Sequence, residues 1–513
     1  MKKNKLIKLS IILLLISAVF FSCSKSELTL SDPNNVSESQ YYKNETQALT
    51  GLAGVYDAYQ SGNLIGKRYR EFDHITDNAT TYQDAGWKAF ETDTQNPSSP
   101  ISNNFWVAYY TVVSRVNTLI SAITNMPASS ISDGSRNRIV AESSFLRDYA
   151  YCDLTALWGN VPLYLKPVGA FADGLASSTV DEVYTIMIND LKTNVIPNLP
   201  TTISSSERGR IGQGAAIALL GKYYLYQKDY ANASTTFKQI IDSKVYNLYS
   251  DYAGLFTELG EFSSESLFEI NFTGSSLDNG ENFSVHIDTT ASLIVPYQPF
   301  KPLASLVTSY LCSDGKPIAT STIYGAKSSL YVTATPYINR DPRLRATVFT
   351  NADNTPGGKH VWNYSNVNSF AVKKYSTISN IQYLNGGPQN YYVIRYADVL
   401  LMYAEAQNEA VGPDANVYAA VNQIRARVKM PAYPVALSQD MMRQYIRDER
   451  RWEFALEHQR FFDLQRWGIT GPLVTAASTI KLYTTPKDYL WPYPQTEEDR
   501  NPAFHATGQN PGY

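Results

Sequence analysis

The sequence predicts a mainly α-helical protein built from paired antiparallel helices, with long irregular loop insertions and only minor β-structure. Three observations support this fold class. Apolar residues recur at helical spacing in several long segments, one segment has the small and aromatic residues of a helix-pair repeat, and two long stretches lack helical periodicity. With 513 residues, of which 44% are hydrophobic and 18% charged, the chain can bury a large core.

The chain begins with the pattern of a secretory signal. Four lysines precede an apolar run from Leu9 to Phe21, which is shorter than the roughly 20 residues of a membrane span, so residues 1–22 are predicted to be a signal peptide. Ser22 before Cys23 resembles a bacterial lipobox, which predicts cleavage there and acylation of Cys23. An ordinary signal peptide that contains a cysteine is the alternative. Residues 23–40 are predicted to form a flexible tether to a soluble body.

The clearest helix pair is predicted between Ile217 and Ile241. Small residues at two positions let antiparallel helices approach closely, and larger aromatic residues fill the space between them. The residues that match the tetratricopeptide spacing are Leu220, Gly221, Tyr224, Ala233 and Phe237. Because one such pair cannot bury its own apolar face, the chain must supply further pairs.

Other segments with helical periodicity can supply these pairs. Ile139–Trp158 is predicted to pair with Val183–Val195, and Tyr396–Ala410 is followed, after a Gly-Pro break, by Val417–Val428. The segments together predict a tetratricopeptide-like scaffold of about four helix pairs. They match the repeat only loosely, so generic helix packing is the alternative for them.

Two regions lack helical periodicity. Ser61–Pro100 is rich in Gly, Asp, Asn, Thr and aromatic residues, and Gly260–Gln389 alternates short β-prone runs with Asn, Gly, Pro and Ser. Long insertions of this kind usually form loops on one face of a repeat scaffold, and binding residues concentrate in such loops. We therefore expect the ligand surface in these two regions.

Several function classes find little support in the sequence. The formal net charge of -3 offers no basic surplus for a nucleic-acid partner. No histidine pair at ligand spacing, Gly-rich phosphate loop or nucleophile elbow occurs, so we predict no metal, no cofactor and no catalytic residue. Cys152 and Cys312 could pair or stay free, and the helical context of Cys152 favours a buried small hydrophobic residue.

The segment Arg447–Trp467 looks like a basic patch, but its five arginines are balanced by five acidic residues. Asp448 with Arg451, and Asp463 with Arg466, are spaced to meet on a helix. The apolar residues that can cover a core face are Trp452, Leu456, Phe461 and Leu464. We interpret the segment as structural.

Several motifs occur together in this chain, and their order and number are specific although no single one is decisive. They are the lipobox, Phe145–Tyr164, Leu311–Ile318, Arg340–Leu344, Val393–Leu401 with Ala404–Ala406, Asp448–Gly468 and Gln509–Tyr513. In this combination the chain resembles the SusD/RagB family of Bacteroidetes outer-membrane lipoproteins. The resemblance covers essentially the whole mature chain, with an N-terminal region at 41–259 and a C-terminal region at 260–513.

The resemblance implies four tetratricopeptide-like helix pairs with variable loops, and binding without catalysis. It implies a partner, a TonB-dependent SusC-like outer-membrane barrel over which the protein closes as a lid, and a lipid-anchored place at the cell surface. Ligands in the family are mostly oligosaccharides, although some members capture peptides or other nutrients.

A glycan site needs exposed aromatic rings beside short polar side chains, because rings cover the C–H patches of sugars while polar groups take the hydroxyls. The first irregular region supplies Trp87 and Tyr82 as predicted stacking platforms, with Asp77, Asn78 and Arg68 as hydroxyl partners. The central region supplies two further aromatic candidates, Tyr297 and Tyr324.

Three other functions are alternatives to glycan capture. The same scaffold could capture peptides or another small nutrient, or it could be a tetratricopeptide adaptor that binds only proteins. A surface glycosidase would need two carboxylates facing one another across a sugar. The candidate carboxylates are Glu71, Asp73, Asp77 and Asp84.

Overall fold

The computed structural model describes residues 41–81, 84–169, 174–274, 300–323, 337–349, 370–375, 387–506 and 508–513. The predicted signal peptide, Cys23 and the tether lie outside these residues. None of the helices found in the described ranges is both long and apolar enough to cross a membrane.

Helices dominate the structure, which confirms the predicted fold class. The α-helices are α1 (Glu45–Tyr59), α2 (Ala85–Glu91), α3 (Pro100–Thr124), α4 (Asp133–Trp158), α5 (Val180–Asp190), α6 (Gln213–Tyr226), α7 (Tyr230–Ser243), α8 (Ala304–Ser309), α9 (Pro342–Thr347), α10 (Tyr396–Val411), α11 (Ala415–Arg427), α12 (Gln439–Glu453), α13 (Gln459–Trp467), α14 (Thr470–Ala477), α15 (Gln495–Arg500) and α16 (Pro502–His505). A 3₁₀ helix covers Arg68–Ile75, and one turn of π-helix, Leu191–Val195, continues α5.

The β-structure is minor, as predicted. The strands are β1 (Ala79–Thr81), β2 (Val161–Pro162), β3 (Ser177–Ser178), β4 (Ser266–Ile270), β5 (Phe300–Pro302), β6 (Val348–Phe349), β7 (Ala371–Val372) and β8 (Tyr391–Arg395). They form separate antiparallel pairs, β1 with β5, β2 with β3, β4 with β8 and β6 with β7.

The helix pair α6–α7 has the predicted tetratricopeptide packing. A Cβ atom added at Gly221 would lie 2.5 Å from Cε1 of Phe237, so only glycine permits this approach of the two helices. Ala233 and Phe237 are fully buried. The Asp229 side chain accepts a hydrogen bond from the backbone N–H of Asn232 and caps the start of α7.

The main partner of α4 differs from the prediction. The Val183–Val195 segment does contact α4, but α3 packs against it more extensively. Most of the side chains along α4 are buried, because α4 has neighbours on several sides. Further along the chain, α10 packs against α7 as well as α11 and α12, and one hydrophobic core runs from the N-terminal helices to the C-terminal ones.

The segment Arg447–Trp467 is structural, as predicted, although it is not one helix. Between α12 and α13 the chain turns through Leu456 and His458, which have φ angles of 65° and 71°. The predicted pair Asp463–Arg466 forms at 2.7 Å. Arg451 instead forms an ion pair with Asp77 at 3.1 Å. This contact ties α12 to the first irregular region.

A buried ionic network centres on Glu453 at the end of α12. Its carboxylate pairs with Arg395 at 2.6 Å and Arg343 at 3.1 Å, and also with Arg427. Burial alone would raise the pKa of Glu453, but the three guanidinium groups outweigh burial and hold this pKa well below its usual range. The network therefore stays charged in the interior.

Candidate ligand-binding surface

The β1–β5 pair joins the two irregular regions into one surface. Ala79 pairs with Pro302, Thr80 with Lys301, and Thr81 with Phe300. Side chains alternate along each strand, so Thr80 and Lys301 are half-buried while their neighbours in both strands are buried. The strand pair thus presents one threonine and one lysine outward.

Two further polar side chains adjoin this pair. The backbone N–H of Asp84 donates to Oγ1 of Thr81 at 3.2 Å. Arg68 Nη1 donates to Oδ2 of Asp84 at 3.1 Å and to Oε2 of Glu71 at 3.4 Å. Arg68, Thr80, Asp84 and Lys301 are all half-buried, and we call these four residues the β1–β5 surface.

Asp77 and Asn78 support this surface from inside, which corrects their predicted role as hydroxyl partners. Both are buried. The Asp77 carboxylate accepts hydrogen bonds from Nε and Nη2 of Arg460 at 2.8 and 2.9 Å. The amide oxygen of Asn78 accepts one from Nε of Arg451 at 2.9 Å, and its amide nitrogen donates to Asp73 at 2.9 Å.

The electrostatics agree with this supporting role. Burial by itself would raise the pKa of Asp77, but Arg460 and Arg451 outweigh burial and lower the pKa to about 2. The carboxylate is therefore ionised and fully engaged with two arginines. It has no capacity left to recognise a ligand without breaking the interior.

Trp87 is also wrong as a predicted stacking platform, because its side chain is fully buried. Its ring packs against Phe72, Phe105 and Trp491, and its Nε1 donates to Oε2 of Glu71 at 2.6 Å. The residue lies on a helix and not in the expected loop.

Asp84 explains why the expected loop is a helix. Its side chain accepts hydrogen bonds from the backbone N–H groups of Gly86 and Trp87 and caps α2. An aspartate three residues before a tryptophan is a local capping signal that could have been recognised in the sequence.

Arg68 keeps the solvent access that a ligand contact requires, with 19% of its side chain exposed. The remaining candidates, Tyr82, Tyr297 and Tyr324, lie outside the described residues and stay predictions. In the sequence, Tyr82 directly follows Thr81, and Tyr297 precedes Phe300 by three positions.

Lys481 is a supporting residue that sequence reasoning missed. Its buried ammonium donates to the backbone carbonyl oxygens of His74, Thr76 and Ala79. Burial lowers the pKa of Lys481 to about 8. No local pattern reveals this role, since Lys481 lies 402 positions from Ala79 in the sequence.

Two family models match the chain. One is the SusD family, over residues 264–513, and the other is described as starch-binding associating with outer membrane, over residues 30–225. The chain belongs to the SusD family.

Full-length relatives support this assignment. SusD-like protein P38 of Formosa agariphila is 26% identical, over 92% of this chain and 94% of the relative. The crystal structure of a SusD-like carbohydrate-binding protein from Bacteroides fragilis has a TM-score of 0.79 at 22% identity, covering 90% of this chain and 99% of that one. A laminarin-binding SusD-like protein has a TM-score of 0.73 at 27% identity, covering 92% and 100%.

The four candidate carboxylates of this SusD-family protein are all engaged. Glu71 accepts from Trp87 and Arg68, and Asp84 caps α2. Asp73 is buried and accepts from Asn78 and from the backbone N–H of His458, and burial raises its pKa to about 6. Asp77 pairs with two arginines. Three of the four are buried, which is unlike a carboxylate pair open to a sugar.

Among the residues that the structure describes, the two cysteines and the possible metal ligands give no further site. Cys152 and Cys312 are both buried and form no disulfide, and full burial of Cys152 confirms its interpretation as a small core residue. Within the described portion of the chain, no three His, Cys, Asp or Glu side chains come together as a metal site.

Proposed function

We propose that this SusD-family protein binds a glycan at the β1–β5 surface without altering it and delivers it to a TonB-dependent SusC-like barrel. The observation that carries the proposal is the β1–β5 pair. It joins two loop regions, far apart in the sequence, into one surface with half-buried polar side chains. Such a surface suits a ligand with many hydroxyl groups.

The side chains of this surface offer the hydrogen-bonding groups that sugars need. Arg68 and Lys301 are donors, and Thr80 is both a donor and an acceptor. Asp84 caps α2 and accepts a hydrogen bond from Arg68, so it holds Arg68 in place. Tyr82, Tyr297 and Tyr324 remain the proposed stacking platforms. The laminarin-binding relative, which is 27% identical over 92% of this chain, supports the ligand class.

Buried ion pairs and hydrogen bonds beneath the β1–β5 surface hold it rigidly. The ion pairs of Asp77 with Arg451 and Arg460, and the hydrogen bonds from Lys481, fix the backbone that leads into β1. A surface held in place before binding loses little conformational entropy when a ligand arrives. This preorganisation favours binding over a catalytic role, for which the engaged carboxylates are unsuited.

The anchor and the transporter complete the proposal. Acylation at Cys23 would hold the protein at the outer membrane, at the cell surface, and the SusC-like barrel would receive the ligand. Both parts rest on the lipobox and on the family. Incorporation of labelled palmitate that is lost in Cys23→Ala, and co-purification with a barrel, would support them.

The binding test uses residues 24–513 titrated by calorimetry with oligosaccharides, laminarin-derived ones included, and with peptides. We expect saturable binding of at least one oligosaccharide. Arg68→Ala should weaken that binding about tenfold, because a charge-assisted hydrogen bond is lost. Arg115→Ala, which removes an exposed arginine that pairs with Asp57 of α1, should leave binding unchanged.

Each outcome decides between the functions. Binding of peptides and of no oligosaccharide would favour peptide capture. Co-purification with a barrel but no binding of either ligand would favour a protein adaptor, and release of reducing ends would establish a glycosidase.

A further inference from the structure

Apart from the β1–β5 surface, the protein has a pocket beside α6. It has a volume of about 380 Å³ and is lined by the loop before α6, the residues after α7, and the segment that enters β4. This volume falls at the lower end of the roughly 300–1,000 Å³ of small-molecule pockets. None of the four residues of the β1–β5 surface lines it.

One buried polar atom of the pocket lining has no hydrogen-bond partner among the residues that the structure describes. It is Oε2 of Glu269, a residue that is only 4% exposed. The other Glu269 oxygen, Oε1, accepts from the backbone N–H of Phe262 at 2.9 Å. Because buried polar groups are nearly always paired, this oxygen is available to accept a hydrogen bond from a ligand hydroxyl group.

An unpaired cation lies at the same pocket. Arg208 is exposed, and it makes no hydrogen bond or ion pair with any residue that the structure describes. Its neighbour Arg210, by contrast, is paired with Glu142 and Glu207. Arg208 is therefore available for an anionic group of a ligand.

The pocket is shaped by the backbone and by aromatic side chains. Gly209 has a φ of +88°, and a Cβ there would lie 1.8 Å from the amide nitrogen of Asn271, so only glycine lets this loop close against the end of β4. Tyr246 and Phe262 are half-buried in the lining. Such rings can cover the C–H face of a sugar.

The Tyr110–Tyr164 groove, with a volume of about 240 Å³, is a weaker candidate. The hydroxyl of Tyr110 donates to the carbonyl oxygen of Pro162, and the hydroxyl of Tyr164 accepts from the backbone N–H of Leu175. Its amide, Asn117, donates to the carbonyl oxygen of Tyr164. These groups are already engaged, whereas Oε2 of Glu269 and the guanidinium of Arg208, in the pocket beside α6, have no partner among the described residues.

We propose that the pocket beside α6 is a second site, which binds a sugar residue with one anionic group. Arg208 binds the carboxylate or sulfate, and the buried Oε2 of Glu269 accepts a hydrogen bond from a ring hydroxyl. The pocket would give a SusD-family protein separate recognition of acidic glycan units. The ligand class extends the proposed glycan-binding function, but the site is independent of the β1–β5 surface.

The test titrates residues 24–513 with glucuronate, glucose 6-sulfate and glucose, followed by calorimetry and NMR. We expect glucuronate or the sulfate to bind at least about tenfold more tightly than glucose. Arg208→Ala should remove this preference, and Arg500→Ala, which changes another exposed arginine, should keep it. Binding of the two anions separates carboxylate from sulfate recognition.

Glu269 provides a second arm. Glu269→Leu should weaken binding of the acidic sugar at least about tenfold, while Glu269→Gln, which keeps hydrogen-bonding capacity, should stay within about threefold of the wild type. Circular dichroism checks that each variant is folded. Equal binding of glucose and glucuronate, or acidic-sugar binding that is unchanged in Arg208→Ala, would overturn the proposal.

The two sites can fail separately. Arg208→Ala should leave binding of a neutral oligosaccharide at the β1–β5 surface unchanged, and Arg68→Ala should leave glucuronate binding unchanged. Oligosaccharide binding without any acidic-sugar binding would refute the second site and leave the proposed function standing. Binding of acidic sugars without binding of any oligosaccharide would support the second site and refute the proposed function of the β1–β5 surface.

Discussion

The buried ionic network and the β1–β5 surface use the same kinds of charged residue in opposite ways. In the network, three arginines converge on Glu453 in the interior. At the surface, Arg68 and Lys301 keep contact with solvent. The motifs that reveal the family supply Glu453, Arg343 and Arg395 of the network, while the surface residues lie in stretches without a motif. In this chain, therefore, the charged motifs belong to the scaffold and not to the proposed ligand surface.

The largest expected effect comes from breaking the network. Glu453→Ala leaves three arginines without their common partner, and we expect the free energy of unfolding to fall by about 3–5 kcal/mol. Urea unfolding measures this change. Asp440→Ala, which removes an exposed partner of Arg443 on the same helix, should cost less than about 1 kcal/mol. If the free energy of unfolding fell by similar amounts in the two variants, the buried ion pairs would contribute no more to stability than the exposed one.

The buried Glu269 predicts a pH dependence. Burial, with a contribution from Glu261, raises its pKa from 4.5 to about 7. The folded state then binds this proton more tightly than the unfolded state. The associated stability is fully present below about pH 4.5, is lost as the pH rises through about 7, and amounts to about 3 kcal/mol.

Unfolding curves at pH 5 and pH 8 measure this contribution. Glu269→Gln should reduce the loss of stability between these pH values by the contribution of Glu269, while Asp73 and Glu261, whose pKa values burial also raises, account for the remainder. Glu258→Gln, on a neighbouring exposed carboxylate, should leave the loss nearly as large as in the wild type. If the wild type and Glu269→Gln lost the same amount of stability between pH 5 and pH 8, the expectation would be contradicted.

The helix pair α6–α7 tests the apolar part of the interior. Gly221→Val forces a side chain into the ring of Phe237, and overpacking of this kind costs about 1–3 kcal/mol. The control is Gly54→Ala in α1, where an added Cβ meets nothing within 4 Å and helix propensity should add up to about 1 kcal/mol. Thermal unfolding of both variants gives the sign and size of the change in stability. A destabilised Gly54→Ala would contradict the interpretation that packing space decides the two effects.

The smallest expected change in stability is at the surface. Lys301→Ala should alter the free energy of unfolding by less than about 0.5 kcal/mol and still weaken oligosaccharide binding about threefold to tenfold. Lys166→Ala, at an exposed lysine of the Tyr110–Tyr164 groove, should change neither quantity. A large loss of stability in Lys301→Ala would mean that Lys301 belongs to the buried residues that support the surface.

The sequence was sufficient for features whose signal is local. The spacing of Gly221 and Phe237 predicted a helix contact that the structure contains, and the charge balance of 447–467 predicted a structural segment. The errors at Asp77 and Asn78 have another cause. Their partners, Arg460 and Arg451, lie 383 and 373 positions away, and no local pattern records such a contact. The sequence therefore suggested that Asp77 and Asn78 are exposed, whereas both are buried and bonded to arginines of the interior.

Trp87 shows a different kind of error. Its neighbour Gly86 suggested a loop, but the helix cap at Asp84 outweighed that signal and turned the ring into the core. By contrast, the pocket beside α6 is assembled from three segments that only the fold brings together. Arg208 and Glu269 are 61 positions apart in the sequence (269 − 208), so neither could be recognised as part of a site.

A crystal structure with the tightest-binding oligosaccharide tests the central claim most directly. We expect a sugar within hydrogen-bonding distance of Arg68 or Lys301, with Asp77 still paired to Arg460 beneath it. A sugar seated in the Tyr110–Tyr164 groove, with no contact to the β1–β5 surface, would contradict the account.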